Sequence, residues 1–298
     1  NGACRTMKAV VQNGFGLSSV AVTDVEEAPF LPMSAEIKTK KVPLLPYDIM
    51  KINGELYTDK QTTLGYGAVG VVTKVGALRS KKLIGQRVIV LDQNGTFKEK
   101  IVSNMPPLII PIPDEVANEE AVAVIGGVDT AYMLMKKIIR AATATKQVVI
   151  LGANSVVGIS LIQLLKNKGN VTIIPEVRQE SRDYFDRLVE SLGMDAFLNT
   201  EKIMADALVV DIAGNQGLVS LYKNQGFEII SVVIQGVPGI KFVSAPLFPN
   251  EYALILDMMA QKKLRVFIDK DFSVNQIDEA INYQIMSYSR GRNVISFD

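Results

Sequence analysis

Residues 147–169 carry the strongest local constraint in the chain. An apolar run over 148–151 halts at Gly152, and a turn of small and polar residues follows. From Val157, apolar side chains recur at helical spacing through Leu161, Leu164 and Leu165. The pattern reads as a buried strand, a tight glycine turn and a helix in immediate succession. Free backbone N–H groups and a partial positive charge at such a helix N-terminus suit a phosphate. The same spacing also occurs in an ordinary strand–helix connection of an α/β protein.

The chain has 298 residues, 48% apolar and 21% charged, a globular balance with length enough for two domains. A net charge of +1 gives no general attraction to nucleic acid or to an anionic membrane. No apolar run reaches the ~18 residues that span a bilayer. Histidine is absent, which removes the commonest acid–base and metal-binding side chain. The single cysteine, Cys4, allows neither an intrachain disulfide nor a cysteine-rich zinc site. A reducing, cytoplasmic compartment is expected, and a mitochondrial protein that has lost its transit peptide would look the same. Met7-Lys8-Ala9-Val10 reads as a native start, with residues 1–6 as a leftover extension.

Short strands separated by Gly, Pro and Asn are expected over 8–12, 35–42, 68–75, 87–91 and 99–102, forming an antiparallel, barrel-like unit. Pro106, Pro107, Pro111 and Pro113 mark a domain crossing. Beyond it, helices are expected over 118–125, 130–142, 157–168, 182–192, 217–223 and 252–262. Strands are expected over 148–151, 171–174, 207–211, 228–234 and 241–243. This alternation implies a parallel sheet covered on both faces. The expected division is 1–115 with 266–298 for the β-rich unit, and 116–265 for the parallel α/β unit. Residues 293–297 should pair back into the first of these.

In a doubly wound sheet the ligand lies at the carboxyl ends of the strands. Gly152 ends the first strand there, Asn154 and Ser155 offer polar side chains, and Val157 and Gly158 open the helix. Glu176, about 20 residues beyond the turn, would accept hydrogen bonds from ribose hydroxyls and favour NAD. Arg178, assisted by Arg182, would instead pair with a 2′-phosphate and favour NADP. A solvated loop explains the same charges. Ala213-Gly214 and Gln235-Gly236 end the fourth and fifth strands with small or polar residues that let a ligand approach the backbone. The three strand ends together describe a cofactor crevice.

Several segments resemble the medium-chain dehydrogenase/reductase superfamily, in its zinc-independent branch of quinone oxidoreductases and 2-enoyl thioester reductases. Gly126-Gly-Val-Asp-Thr130-Ala-Tyr132 is similar to the superfamily's Thr-Ala-Tyr helix start, and Gly152-Ala-Asn-Ser-Val-Val-Gly158 to the turn of mitochondrial-type enoyl thioester reductases. Val177-Arg178, 187–193 and Asn199-Thr-Glu201 look most like the same subgroup. The resemblance covers nearly all of residues 7–298. It implies a GroES-like β-rich catalytic domain followed by a Rossmann domain. By it, Thr130 should lie near the nicotinamide, and the arginine after the second strand implies NADPH rather than NADH. Zinc-dependent members carry Gly-His-Glu where this chain has Gly65-Tyr66-Gly67, so no metal is implied.

The same resemblance makes Tyr57 the catalytic candidate. Residues 46–57 look like the subgroup's Pro-x-Asp-Ile segment, which leads through a glycine to the catalytic tyrosine; here one extra residue separates Gly54 from Tyr57. A phenol with pKa near 10 is protonated at neutral pH and can donate to a carbonyl or carbanion. Three features depart from the subgroup: there is no tryptophan, the connection after the fifth strand shrinks to Val237-Pro-Gly239, and Val156 stands where Gly or Ala is usual and would crowd a pyrophosphate. The expected activity is hydride delivery from NADPH to an activated C=C bond, as in a 2-enoyl thioester, or to a quinone. The alternative is a catalytically silent NADP(H)-binding redox sensor or structural protein. The electron acceptor would be a small molecule. A homodimer is expected through the edge strand at 241–243, which satisfies an otherwise open edge.

Overall fold

The computed structural model describes residues 4–56, 58–59, 61–141, 147–168, 171–195, 198, 202–288 and 290–297, and the elements counted below are those of the described residues. The chain opens with β1 (Thr6–Gln12), β2 (Val20–Glu26), β3 (Ala35–Leu44), α1 (Pro46–Ile52) and β4 (Thr62–Thr63). β5 (Gly67–Val75), β6 (Arg87–Leu91), β7 (Lys100–Ser103) and β8 (Ile109–Pro111) follow. β1 lies between β2 and β4 in an antiparallel sheet, while β3, β5, β6 and β8 run side by side in a second. Alternating residues of these strands, among them Val10, Ile37, Val72, Val88 and Ile101, meet in one core with Phe97.

The α/β unit contains α2 (Asn118–Val122), α3 (Asp129–Ala141), β9 (Gln147–Leu151), α4 (Val156–Lys166), β10 (Thr172–Glu176), α5 (Arg182–Ser191), β11 (Leu208–Asp211), α6 (Gln216–Asn224), β12 (Glu228–Ser231), β13 (Lys241–Phe242) and α7 (Pro249–Ala260). The parallel sheet runs β10-β9-β11-β12-β13. Leu198 bridges Ile173 in parallel beyond β10. In sequence terms the order is third, second, first, fourth, fifth, sixth, which is the dinucleotide-binding order with its switch point between β9 and β11. Both faces are dry. Val148, Ile150 and Val210 join the core on one face, while Val149, Leu151 and Val209 join that on the other.

The tail supplies β14 (Ile268–Ser273), α8 (Ile277–Met286) and β15 (Arg292–Ser296). As expected from its sequence, this last strand returns to the first unit. It pairs antiparallel with β3 and parallel with β14. Two expected elements are shorter than the pattern suggested. α2 stops at Val122 rather than running to 125, because Ile125 is extended (φ −72°, ψ 119°) and Gly126 is left-handed at φ 62°. β12 stops at Ser231, whose hydroxyl accepts the N–H groups of Val233 and Ile234 and turns the chain.

The break at 125–127 brings a glycine against the α4 N-terminus. A Cβ built on Gly127 would stand 2.9 Å from Val156 Cγ1 and 3.3 Å from Arg292 Nη2. Gly127 therefore provides the space that Val156 fills. Gly127→Ala should destabilise the fold by roughly 1–3 kcal/mol through overpacking. Adding Val156→Ala should recover part of that loss, giving a coupling above about 0.5 kcal/mol in urea unfolding of the four chains. Strictly additive effects would refute the contact.

Candidate active site

The turn after β9 is held by its own backbone and by one side chain. The Ser155 hydroxyl donates to the Gly152 carbonyl at 2.8 Å and accepts the Gly158 N–H at 3.0 Å, capping α4. Gly152 is left-handed at φ 89°. A Cβ on Gly158 would lie 2.6 Å from the carbonyl oxygens of Gly152 and Ala153, so only glycine lets α4 approach the strand end. The N–H groups of Val156 and Val157 open the helix and have no intrahelical acceptor. Capped serine, glycine turn and free N–H groups fit a phosphate of a dinucleotide. Asn154, Ser155 and Val156 also line a cavity of about 10 Å³ shared with Tyr184, Phe267 and Gly291, roughly the size of one water molecule.

At the end of β10 the Glu176 carbonyl accepts the N–H groups of Gly152 and Ala153, and its carboxylate accepts the Tyr222 hydroxyl at 3.1 Å. Arg178 stands 5.8 Å above the Tyr288 ring. Arg290 lies over the same ring at 5.9 Å and over Tyr184 at 5.1 Å, while donating to the Ser181 hydroxyl and the Glu180 carbonyl. Arg182 turns along α5 to Asp186 at 3.3 Å and stacks on Phe185. Two arginines and two tyrosines thus gather beyond β10, from segments more than 100 residues apart.

The ends of β11 and β12 are locked together. Buried Asp211 accepts the Ser231 hydroxyl at 2.7 Å and the Gly214 N–H at 3.0 Å. Ala213 lies against the turn, 3.1 Å from a Cβ built on Gly152. Gln235 and Gly236 are exposed on the loop beyond β12, with Gly236 left-handed at φ 70°.

A second group of polar side chains lies where the β-rich unit meets the start of α3. Asp129 accepts the Tyr252 hydroxyl at 2.9 Å and the Thr130 N–H at 2.6 Å, with the Thr130 hydroxyl at 3.3 Å. Burial pushes its pKa up, and these bonds together with the Gly126 N–H oppose the rise. Arg292 is buried, and its Nη2 donates to the Gly126 carbonyl at 3.0 Å. Asp48 is buried too. Its Oδ2 accepts the Leu45 N–H at 2.8 Å. Asp48 Oδ1 and Arg292 Nε are buried and have no hydrogen-bond partner among the described residues. Tyr66 lies between these charges, its ring edge-on to Tyr47 at 6.1 Å.

The structure therefore brings Gly152, Asn154, Ser155, Val156, Val157, Ala213 and Gly214 together at the switch point, with Glu176 and Arg178 beside it and Thr130 at the start of α3. Tyr57 lies outside the described residues. Sequence reasoning missed Asp48, Tyr66, Asp129, Tyr252 and Arg292 as a group. Arg292 stands between Gly291 and Asn293, just ahead of the apolar pair Val294-Ile295, and nothing in its local sequence marks it.

No family model matches the sequence, and no curated protein matches it. Solved structures do. A thermostable alcohol dehydrogenase from Pyrobaculum aerophilum superimposes with a TM-score of 0.78 at 14% identity, over 98% of this chain and 100% of that one. The quinone oxidoreductase from Coxiella burnetii gives 0.75 at 17% identity over 99% and 100%. The CurF ER cyclopropanase of curacin A biosynthesis gives 0.76 at 15% identity over 98% and 99%. At these identities the likeness is one of fold. The chain has the two-domain fold of these structures, a β-rich unit followed by a parallel α/β unit with Rossmann strand order.

Asp48 makes the polar group sensitive to pH. Burial raises its pKa to about 6, against the opposing pull of the Leu45 N–H, Lys51 and Arg292. The native state then holds a proton between about pH 4 and 6 that the unfolded chain has released, so stability falls as pH rises through that window. Asp48→Asn imitates the protonated acid and keeps the acceptor for Leu45. It should be more stable than the parent above pH 6, by up to about 3 kcal/mol, and match it near pH 4. Urea unfolding across that range checks this, and a difference that does not change with pH would refute it.

Proposed function

We propose that the chain is a zinc-independent, cytoplasmic, NADPH-dependent oxidoreductase that passes hydride to an activated C=C bond of a 2-enoyl thioester-like molecule or to a quinone. The convergence of three strand ends on one capped glycine turn at the switch point carries this reading. Bound NADPH would supply the hydride. The N–H groups of Val156 and Val157 and the Ser155 cap would hold the pyrophosphate, and Thr130 would lie beside the nicotinamide. The choice of NADPH over NADH is supported by two contacts. Tyr222 already occupies the Glu176 carboxylate, and Arg178 stands with Arg290 beyond the strand end. By resemblance, Tyr57 would donate to the acceptor.

The open edge at β13, with exposed Phe242 beside it, supports a homodimer joined across that strand. The silent redox-sensor or structural reading is favoured by one observation, the one-water cavity against the turn.

Purified protein should oxidise NADPH with crotonyl-coenzyme A or a 1,4-quinone, and light scattering should give twice the chain mass. Fluorescence titration should show Arg178→Ala weakening NADPH binding by about 10- to 100-fold, the loss of one charge-assisted contact, with NADH binding nearly unchanged. Equal weakening for both cofactors would refute the 2′-phosphate role. NADPH binding without turnover of either acceptor would favour the silent reading.

A further inference from the structure

We propose that Tyr66, rather than the Tyr57 that the resemblance suggests, is the hydrogen-bond donor to the acceptor's carbonyl oxygen, at the position where zinc-dependent members of the superfamily carry a histidine. This inference rests on the reductase reading above and deepens it.

The argument is one of elimination within the polar group at the start of α3. The Tyr252 hydroxyl is committed to Asp129, and so are the N–H and hydroxyl of Thr130. Arg292 Nη2 is committed to the Gly126 carbonyl, and its Nε is buried. Asp48 and Asp129 accept when ionised and do not donate. The Tyr66 hydroxyl has no hydrogen-bond partner among the described residues. Its oxygen lies 2.9 Å from a Cβ built on Gly126, so it sits directly over the kink that leads into Asp129 and Thr130. The absence of a side chain at Gly126 makes the room that the Tyr66 hydroxyl and Leu45 fill. The residue is only partly buried and its ring is braced edge-on by Tyr47.

The surroundings keep this phenol a donor. Burial first, then the negative charges of Asp129 and Asp48, drive its pKa well above the ordinary tyrosine range, with Arg292 partly opposing. Tyr66 therefore stabilises charge without giving up its proton. A bound reduced nicotinamide would supply the hydride for the new C–H bond at the β-carbon of a 2-enoyl thioester, the C=C electron pair moving to the carbonyl oxygen. The enolate oxygen so formed accepts the Tyr66 O–H. The α-carbon then takes a proton from water as the C=O bond re-forms. Arg292 and the kink carbonyl it bonds are positioning elements for this hydroxyl.

The test is single-turnover NADPH oxidation with crotonyl-coenzyme A and with a 1,4-quinone, by the full chain and by Tyr66→Phe and Tyr57→Phe. Tyr66→Phe should slow hydride transfer by about 10²- to 10³-fold, the usual loss for one donor to a developing oxyanion, with the NADPH dissociation constant within about twofold. An active parent chain with an equally active Tyr66→Phe overturns the inference alone, and more firmly if Tyr57→Phe is dead. A parent chain that oxidises no NADPH with either acceptor overturns the reductase reading and this inference together. A second readout needs no turnover and no altered fold. Infrared difference spectra of crotonyl-coenzyme A bound to the parent chain should show the thioester carbonyl stretch moved to lower wavenumber. An unshifted carbonyl overturns the assignment.

Discussion

A guanidinium buried between two folding units is the constraint on which the site depends. Arg292 cannot shed its charge by deprotonation, and taking an ion out of water costs several kcal/mol unless partners compensate. Its partners come from distant segments of the chain. The Gly126 carbonyl takes its Nη2, and the carboxylates of Asp48 and Asp129 provide the opposite charge. Arg292 itself belongs to β15, which is paired to β3 in the β-rich sheet. Meeting the needs of this one cation therefore fixes the last strand, the kink before α3 and the α1 segment relative to one another. The polar group cannot form until the end of the chain has docked.

The switch point obeys a different rule, that of close approach. Gly158 lets α4 rest on the end of β9, and Gly127 admits Val156. The bulk of Val156 at the start of α4 is thus compensated on the opposite wall. Its bulk goes into the glycine kink as well as along the rim of the turn. The same kink ends α2, makes room for the Tyr66 hydroxyl and presents the carbonyl that Arg292 binds. One local break in helical geometry serves both the packing of the turn after β9 and the buried polar group at the start of α3.

The parallel sheet was legible because its strands are apolar on both faces and its helices amphipathic, so each element announces itself within its own residues. The return of β15 was legible for the same reason. β2 was not, since Val20–Glu26 alternates with charged or polar residues and gains its order from β1. The helix expected over 118–125 ends early, at Val122, because apolar periodicity continues through a break that only the backbone dihedrals reveal. The strand expected to reach 234 failed because one serine hydroxyl redirects two N–H groups.

The candidate site divides along the same line. The turn after β9 is contiguous backbone, so residues 152–158 could be read as a unit, and Glu176 and Arg178 followed from their distance to it. The buried polar group uses side chains at 48, 66, 129, 252 and 292, which no spacing rule connects. A tyrosine in a glycine-rich strand entrance, an aspartate in a helix cap and an arginine in a terminal strand each have a sufficient local explanation. Only their convergence makes them unusual, with one carboxylate oxygen and one guanidinium nitrogen left buried and unpaired among the described residues. A buried arginine and a phenol held in its protonated form stand together there, and a donor of that kind can serve a developing oxyanion.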